Sequence, residues 1–463
     1  MSEYKIPTDY YFRIHHVRPR FKNDVQSVLL YLSSAIARLP KQPTQKFKCV
    51  LNNAIRCFPG NLYAKEKTIN NWRTEISALF GFIQSDTLSS WPGLRAKELA
   101  QDNDLPRFFA TFLYFFQYPG AHIKPKDTIE QIQKGVRFKP AQKIISILRS
   151  GEDISSHPFG ISKAEACHCL FNDLRVTAGL EDSTQTAARI IKNRNECVTY
   201  DETGDVIRYA GDILDYRSYA NILRKHNGLF YLNKHNGLVL NKFEKSSIWF
   251  SGYDQMIQNK SATLEDVKSQ IDSWFSYVNQ SIDFADFDTD IDNFILDNSE
   301  NYSVSHIKEL LQQYGVSNWS TKNIGDIGES IVLEKEKTDL KKLGYDDLVH
   351  LVQKIPNTYA VGYDIQSFWP NKTKKYIEVK TTISTDRMTV NTVHLTPNEW
   401  NTASTLSDNY LIYRILITNQ NIQLFIIQNP IRLYKENKIN AFMNDGVDII
   451  FNKNSLKLGE EII

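Results

Sequence analysis

Near the C-terminus, three ionisable side chains have the types and spacing that phosphodiester chemistry needs. Asp364 closes Gly362-Tyr363-Asp364, and Glu378 and Lys380 lie within Tyr376-Ile377-Glu378-Val379-Lys380. On a strand, successive side chains alternate faces, so Glu378 and Lys380 share one side while Val379 points into the core. Asp364 can join them across a hairpin. Two carboxylates in a low-dielectric pocket repel unless a divalent cation sits between them, and hard oxygen ligands suit Mg²⁺. Phosphodiester cleavage requires a nucleophile, a Lewis acid on the non-bridging oxygen and charge compensation at the leaving oxygen. Two acids and a lysine can assemble that set around a metal. Taken alone, Glu-x-Lys is also an ordinary half-buried strand and Asp364 an ordinary turn acid.

The flanking sequence predicts elements that could hold these groups in place. Asn323 to Glu334 has apolar residues at helical spacing and glycines at its start, which puts Glu329 on the first turns of a helix. Tyr410–Leu416 and Ile422–Ile427 are apolar and β-branched runs parted by Asn419-Gln420-Asn421, predicting two strands and a turn. Thr396-Pro397-Asn398-Glu399 before Trp400 has the form of a capped helix start, with Thr396 as N-cap and Glu399 three residues on. Glu399 therefore reads first as a capping residue and second as a supporting group at the site.

Taken in order, Gly328-Glu329 in a helix, Gly362-Tyr363-Asp364 and Glu378-Val379-Lys380 resemble the PD-(D/E)xK nuclease superfamily. With Val393 to Trp400 and Asp408 to Ile415 added, residues 321–435 resemble the nuclease-like domain first named from the C-terminus of the plant NO VEIN protein, a family that also occurs in prokaryotic restriction and defence proteins. The proline of the superfamily name is absent here. The resemblance implies that Asp364 and Glu378 bind one or two Mg²⁺ ions, with the Val379 carbonyl as an additional ligand. It also implies that Lys380 orients or helps deprotonate the attacking water, and that Glu329 is an auxiliary acid.

Composition limits what the remainder can be. With 463 residues, 41% hydrophobic and 23% charged, the chain has material for several cores. No run of eighteen apolar residues predicts a membrane span, and the start Met1-Ser2-Glu3-Tyr4-Lys5 lacks the apolar stretch of a secretory leader. Five scattered cysteines suit a reducing cytoplasm, and the resemblance to restriction and defence proteins implies that of a prokaryotic cell. The triplet Cys167-His168-Cys169 lacks the two-residue gap of a zinc knuckle and reads as buried helix.

The net charge of +2 makes no case for nucleic acid, but its distribution does. Residues 1–150 carry 23 Lys and Arg against 11 Asp and Glu, residues 251–320 carry 3 against 12, and residues 321–463 carry 17 of each. A basic N-terminal module would track phosphates, and an acidic spacer would not. Within that module Arg13, Arg18 and Arg20 lie in an aromatic and basic run. A helix from Lys65 is predicted to expose Lys67, Asn70, Asn71 and Arg73, side-chain types that read base edges. Lys134, Arg137, Lys139 and Lys143 form a further basic cluster suited to phosphate. Between 160 and 250, helices are expected over Ser162–Val176, Ala187–Arg194 and Tyr216–Arg224. A hairpin is expected after them, with Leu229–Leu232 and Leu238–Asn241 joined by a Lys-His-Asn-Gly turn that carries Lys234 and His235. Helices followed by a two-stranded wing resemble a winged-helix domain.

The expectation is a multidomain α+β protein. A basic helical DNA-binding subdomain (1–150), a winged-helix-like subdomain (151–255), an acidic helical linker (256–320) and a PD-(D/E)xK-type α/β nuclease core with a mixed sheet (321–463) would follow one another. The layout is similar to that of type IIS restriction endonucleases, which separate reading from cutting. Double-stranded DNA is the expected partner, and cutting both strands would call for a homodimer or a second subunit. Two alternatives fit the same sequence: a restriction enzyme that recognises methylated DNA, and a DNA-binding defence protein whose nuclease-like domain is inactive.

Overall fold

A computed structural model describes residues 3–15, 24–120, 124–281, 287–289, 324–385, 388–419, 421–443, 446–452 and 459–461, with positions 291 and 294. The protein is a multidomain α+β molecule that divides into two compact units. Unit 1 comprises residues 1–23, 35–98 and 106–287, and unit 2 comprises 24–34, 99–105 and 288–463. These units follow packing, whereas the four segments expected from the sequence follow composition. Arg18, Arg20 and most of the acidic stretch Asp283–Asp292 lie outside the described residues. Among the described residues no helix is long and apolar enough to cross a membrane.

Unit 1 is mainly helical and twice sets a β-hairpin behind a group of helices. Helix α1 (Val25–Ala37) ends in it, followed by β1 (Gln42–Pro43), α2 (Thr44–Cys57), α3 (Glu66–Thr74) and the hairpin β2 (Ile83–Ser85) and β3 (Ser89–Pro92), with sheet order β1-β3-β2. Helix α4 (Leu105–Phe115) supplies Phe108, Phe109, Phe112 and Phe115, all buried, to an aromatic core. Next come α5 (Pro140–Ser155), α6 (Ser183–Asn195) and α7 (Gly204–Tyr219), then the hairpin β4 (Leu223–His226) and β5 (Leu229–Leu232), and α8 (Gly237–Glu244).

That second hairpin lies one repeat earlier than the sequence suggested. The tetrapeptide Lys-His-Asn-Gly occurs at both 225–228 and 234–237. The turn forms at the first copy, where Asn227 and Gly228 both take positive φ (47° and 79°), as a two-residue hairpin loop requires. At the second copy Gly237 has φ −61° and starts α8, because Val239, Leu240 and Phe243 behind it recur at helical spacing and are buried. For the same reason Tyr216–Arg224 is not a helix throughout: α7 stops at Tyr219 and Leu223 already belongs to β4. The predicted helix Ser162–Val176 is broken by a π-helical turn at Cys167–Phe171, on which Cys167 and Cys169 are buried.

Unit 2 is built on a six-stranded mixed sheet in the order β14-β11-β10-β8-β7-β6. Its strands are β6 (Gln353–Lys354), β7 (Ile365–Phe368), β8 (Lys374–Ile383), β10 (Tyr410–Ile417), β11 (Ile422–Gln428) and β14 (Gly459–Glu461). The β8–β10 pair is parallel, and the other pairs are antiparallel. A parallel neighbour needs a crossover, here made by β9 (Val390–Leu395) and α10 (Pro397–Leu406). Strand β9 pairs in a second sheet, β12-β13-β9, with β12 (Asn440–Met443) and β13 (Val447–Asn452). Helix α9 (Ile324–Lys342) packs its apolar residues Ile327, Val332 and Leu340 on the main sheet, in one core with Ile365, Ile377 and Val379.

The unit also recruits chain from far upstream. Gln26 of α1 accepts a hydrogen bond from the Ser384 hydroxyl at 2.9 Å, and Asp104 accepts one from the Thr289 hydroxyl at 2.9 Å. Both pairs lie within unit 2.

Candidate active site

The hairpin β7–β8 brings the acid pair together as the alternation of the strand demands. Asp364 immediately precedes β7. Its backbone N–H donates to the Ile377 carbonyl at 2.9 Å, and its Oδ2 accepts from the Val379 N–H at 2.8 Å. Ile365 opposite Ile377 fixes the register, so the carboxylate cannot slide along β8 without losing these bonds. Val379 joins the core on one face, and Glu378 and Lys380 lie on the other, with Lys380 Nζ 2.6 Å from Glu378 Oε1. The Tyr410 hydroxyl donates to the Gly362 carbonyl at 3.0 Å and ties the loop before Asp364 to β10.

Glu329 reaches the same place from α9 by a close approach of helix and strand. A Cβ on Gly328 would stand 1.8 Å from Thr381 Oγ1, so only glycine lets this turn lie against β8. A cleft of about 350 Å³ results, and Glu329, Asp364, Glu378, Val379, Lys380 and Glu399 are among its lining residues. The four acids and the lysine thus converge on one space within unit 2. Lys354 on the edge strand β6 also contacts this group, 2.7 Å from Glu329 Oε2 and 2.6 Å from Asp326 Oδ1.

Glu399 carries two duties at once. Its backbone N–H donates to Thr396 Oγ1 at 3.2 Å while its Oε2 accepts from the Thr396 N–H at 2.7 Å, which completes the expected capping box of α10. The same carboxylate lies 3.2 and 3.3 Å from Lys380 Nζ. Lys380 is therefore held between Glu378 on its own strand and Glu399 on the crossover helix. The capping pattern was visible in the sequence, and the contact with Lys380 matches the supporting role that stood second to it. Lys354 gave no such signal, because two residues of edge strand carry no periodicity.

The electrostatics of the cleft are those of negative charge crowded out of water. Burial pushes the Asp364 carboxyl up, aided by Glu399 and opposed by the Val379 N–H and Lys380. Burial pushes Glu378 well above the usual carboxylate range, with repulsion from Asp364 and Glu399 adding to it and Lys380 opposing. Glu329 is also raised, chiefly by burial, in spite of Lys354. Burial would lower Lys380, but Glu378 and Glu399 outweigh it and raise the ammonium above its ordinary value. Glu399 itself ends below the usual range, because Lys380 and the Thr396 N–H overcome its burial.

The donor set fits a hard cation of modest demands. Among the described residues no cluster of three or more His, Cys, Asp or Glu side chains stands at metal-ligand spacing. Mg²⁺ is usually held by one or two carboxylates, with waters and substrate phosphate completing its shell, so two acids suffice. Asp364 and Glu378 line one cleft and burial raises both, with Asp364 adding to the rise of Glu378, and a divalent cation between them would relieve that cost.

Seven of the nine expected DNA-binding residues are among the described residues, and they lie on separate elements. Lys67 is exposed on α3, with Asn70 and Asn71 half-buried beside it and Ile69 and Trp72 buried beneath. Arg73 is not on that exposed face: its guanidinium donates to Asn52 Oδ1 at 2.8 Å, since the helical position after Trp72 points toward α2. Arg13 places its guanidinium over the Tyr209 ring at 5.3 Å. Lys234 and His235 sit on a short 3₁₀ turn instead of a wing, with Lys234 3.1 Å from Glu152.

Comparison with known proteins covers both units. Residues 4–275 match the family model described as restriction endonuclease BpuJI, N terminal, and residues 328–427 match that of protein NO VEIN, C-terminal. Among solved structures, the crystal structure of pyrene- and phenanthrene-modified DNA in complex with the BpuJI endonuclease binding domain superimposes with a TM-score of 0.50 at 22% identity. That match covers 58% of this chain and 98% of that one. Among curated proteins nothing matches.

Proposed function

This chain belongs to the restriction endonuclease BpuJI N-terminal family, and we propose that it is a sequence-specific, Mg²⁺-dependent DNA endonuclease with separate recognition and cleavage units. The recognition reading is supported by the family match across most of unit 1 and by the likeness of that region to a domain solved with DNA. Two sets of helices, each followed by a hairpin, support a winged-helix organisation there. The cleavage reading is supported by one observation above the others: Asp364, Glu378 and Lys380 converge on a single cleft. An acid before the first strand of a hairpin, with an acid and a lysine on one face of the second, resembles the PD-(D/E)xK arrangement and supports that reading.

In this reading Asp364 and Glu378, with the Val379 carbonyl, would hold Mg²⁺. Bound there, the ion would supply Lewis-acid stabilisation of the non-bridging oxygen and lower the pKa of a nucleophilic water. Lys380, kept protonated by its two glutamates, orients that water and offsets charge on the phosphorane. Glu399 positions Lys380, and Glu329 is the auxiliary acid. One such centre cuts one strand, so a double-strand break requires a second protomer or a second subunit.

The test is Mg²⁺-dependent cleavage of methylated and unmethylated plasmid by wild type and by Asp364→Ala. Wild type should cut both plasmids, and the variant neither. Cutting confined to methylated plasmid would make the protein modification-dependent. Duplex binding with no cutting at any metal concentration would leave a DNA-binding defence protein with an inactive nuclease-like domain.

A further inference from the structure

Unit 1 contains a second polar cleft, of about 360 Å³, at the start of α5. Arg137, Lys139, Lys143, Ser146, Ser247 and Trp249 are among its lining residues, and among the described residues no carboxylate lines it. Lys139 donates to the Tyr114 carbonyl at 2.6 Å and the Ile248 carbonyl at 2.7 Å, which uses two of its three N–H groups. Lys143 donates to the Glu181 carbonyl at 3.0 Å. The Arg137 guanidinium lies over the Trp249 ring at 4.9 Å and keeps 59% of its side-chain surface exposed.

Three cations within seven residues repel one another, and the carboxylates near them are shared with other groups. Asp254 stands 3.9 Å from Arg137 but also accepts the Trp249 indole N–H at 2.8 Å. Glu181 and Asp182 favour the charged form of Lys143, yet the Glu181 carboxylate is already bound by Arg189 at 3.0 Å. Burial still lowers both lysines, Lys139 to about 7. An anion entering the cleft would restore both ammonium groups to full charge. Helix α5 adds the positive end of its dipole, since Lys139 at the N-cap makes no side-chain cap and Pro140 follows.

We infer that this cleft is a phosphate-binding site that grips one phosphodiester of the bound DNA backbone. Arg137 presents a guanidinium edge from its indole platform, Lys143 adds a second cation, and Lys139 supplies charge from the floor. A backbone contact positions the duplex without reading bases, so its effect is the same for every sequence. The proposal rests on the DNA-binding reading of unit 1 and adds to it a specific point of contact.

The experiment is a salt titration of duplex binding by the full chain, read by fluorescence anisotropy on two duplexes of unrelated sequence. Compared with wild type are Arg137→Gln, Lys143→Gln, the double variant, and Arg149→Gln as a control on the same helix whose partner is Glu244 at 2.9 Å. One lost phosphate contact lowers the slope of log K against log[salt] by about 0.9. The double variant should lose about one unit of slope on both duplexes and bind about tenfold more weakly at moderate salt, with an unchanged melting temperature. Each single variant should fall between, and Arg149→Gln should match wild type. A double variant with the wild-type slope, or a loss confined to one duplex, overturns the phosphate assignment and leaves DNA binding standing. Wild type that binds neither duplex overturns both.

Discussion

Strand β8 carries two lysine–glutamate clusters five residues apart, on opposite faces of one sheet, and they are solved in opposite ways. Lys375 Nζ lies 2.8 and 2.9 Å from the two oxygens of Glu336, which also accepts the Tyr413 hydroxyl at 2.5 Å. The ammonium is flanked by the Trp369 and Tyr413 rings at 4.7 and 5.6 Å. One cation faces one anion, and aromatic walls close the space. Lys380, by contrast, faces Glu378 and Glu399 with Asp364 beside them, and the cleft is open. Glu336 and Glu378 are equally buried, at 2% and 3% exposure. Burial alone therefore does not mark a functional carboxylate. What separates the two is uncompensated charge of one sign around a space large enough for a ligand.

This contrast can be broken by substitution. The largest effect expected is on cleavage: Asp364→Ala should lower the Mg²⁺-dependent rate by on the order of 10³-fold or more, whereas Glu336→Gln should leave the rate per folded molecule unchanged. On stability the order reverses. Glu336→Gln leaves Lys375 buried without its partner and should cost about 3 kcal/mol in metal-free denaturant unfolding. Asp364→Asn removes a repelled charge and should be neutral or stabilising by about 1 kcal/mol. Two variants that destabilise alike would show that the open site is as structural as the closed one.

A smaller effect separates the two duties of Glu399. Glutamine at this position keeps the capping box but not the charge. Glu399→Gln should therefore melt as wild type does while losing about 10- to 100-fold in cleavage rate. Removing the anion lowers the Lys380 pKa, so the basic limb of the pH–rate profile should move to lower pH. An unmoved limb would reduce Glu399 to a cap.

The smallest effect is in the pH dependence of stability. The Asp364 and Glu378 pKa values are raised by folding, so their ionisation destabilises the metal-free fold. That penalty is full above the folded values and vanishes below the unfolded ones, near 4. Metal-free stability should therefore gain from these two groups as pH falls from neutral through their folded values, and the double variant Asp364→Asn, Glu378→Gln should lack that gain. Added Mg²⁺ should flatten the wild-type profile in the same way. Identical profiles with and without metal would contradict the assignment.

Much of the candidate site was legible in sequence because its signals are local. Strand alternation placed Glu378 beside Lys380, and Thr396 with Glu399 announced the helix that crosses behind them. Asp364 needed only one hairpin to reach them. The rest was hidden where the determining contacts are distant or duplicated. Two copies of Lys-His-Asn-Gly offered the same turn, and only the buried spacing of Val239, Leu240 and Phe243 assigns the second to a helix. Arg73 looked exposed by helical phase until Asn52 on another helix took its guanidinium. No local pattern around Gln26 or Asp104 shows that they pack with residues nearly two hundred or more positions away.

The proposed centre depends on the capacity of two buried carboxylates to hold a cation, and titration calorimetry of Mg²⁺ into metal-free protein tests that capacity most directly. Wild type should show a binding event that disappears in both Asp364→Ala and Glu378→Gln and survives in Glu336→Gln. Binding that persists in the first two variants, or none in wild type with duplex present, would contradict the proposed centre.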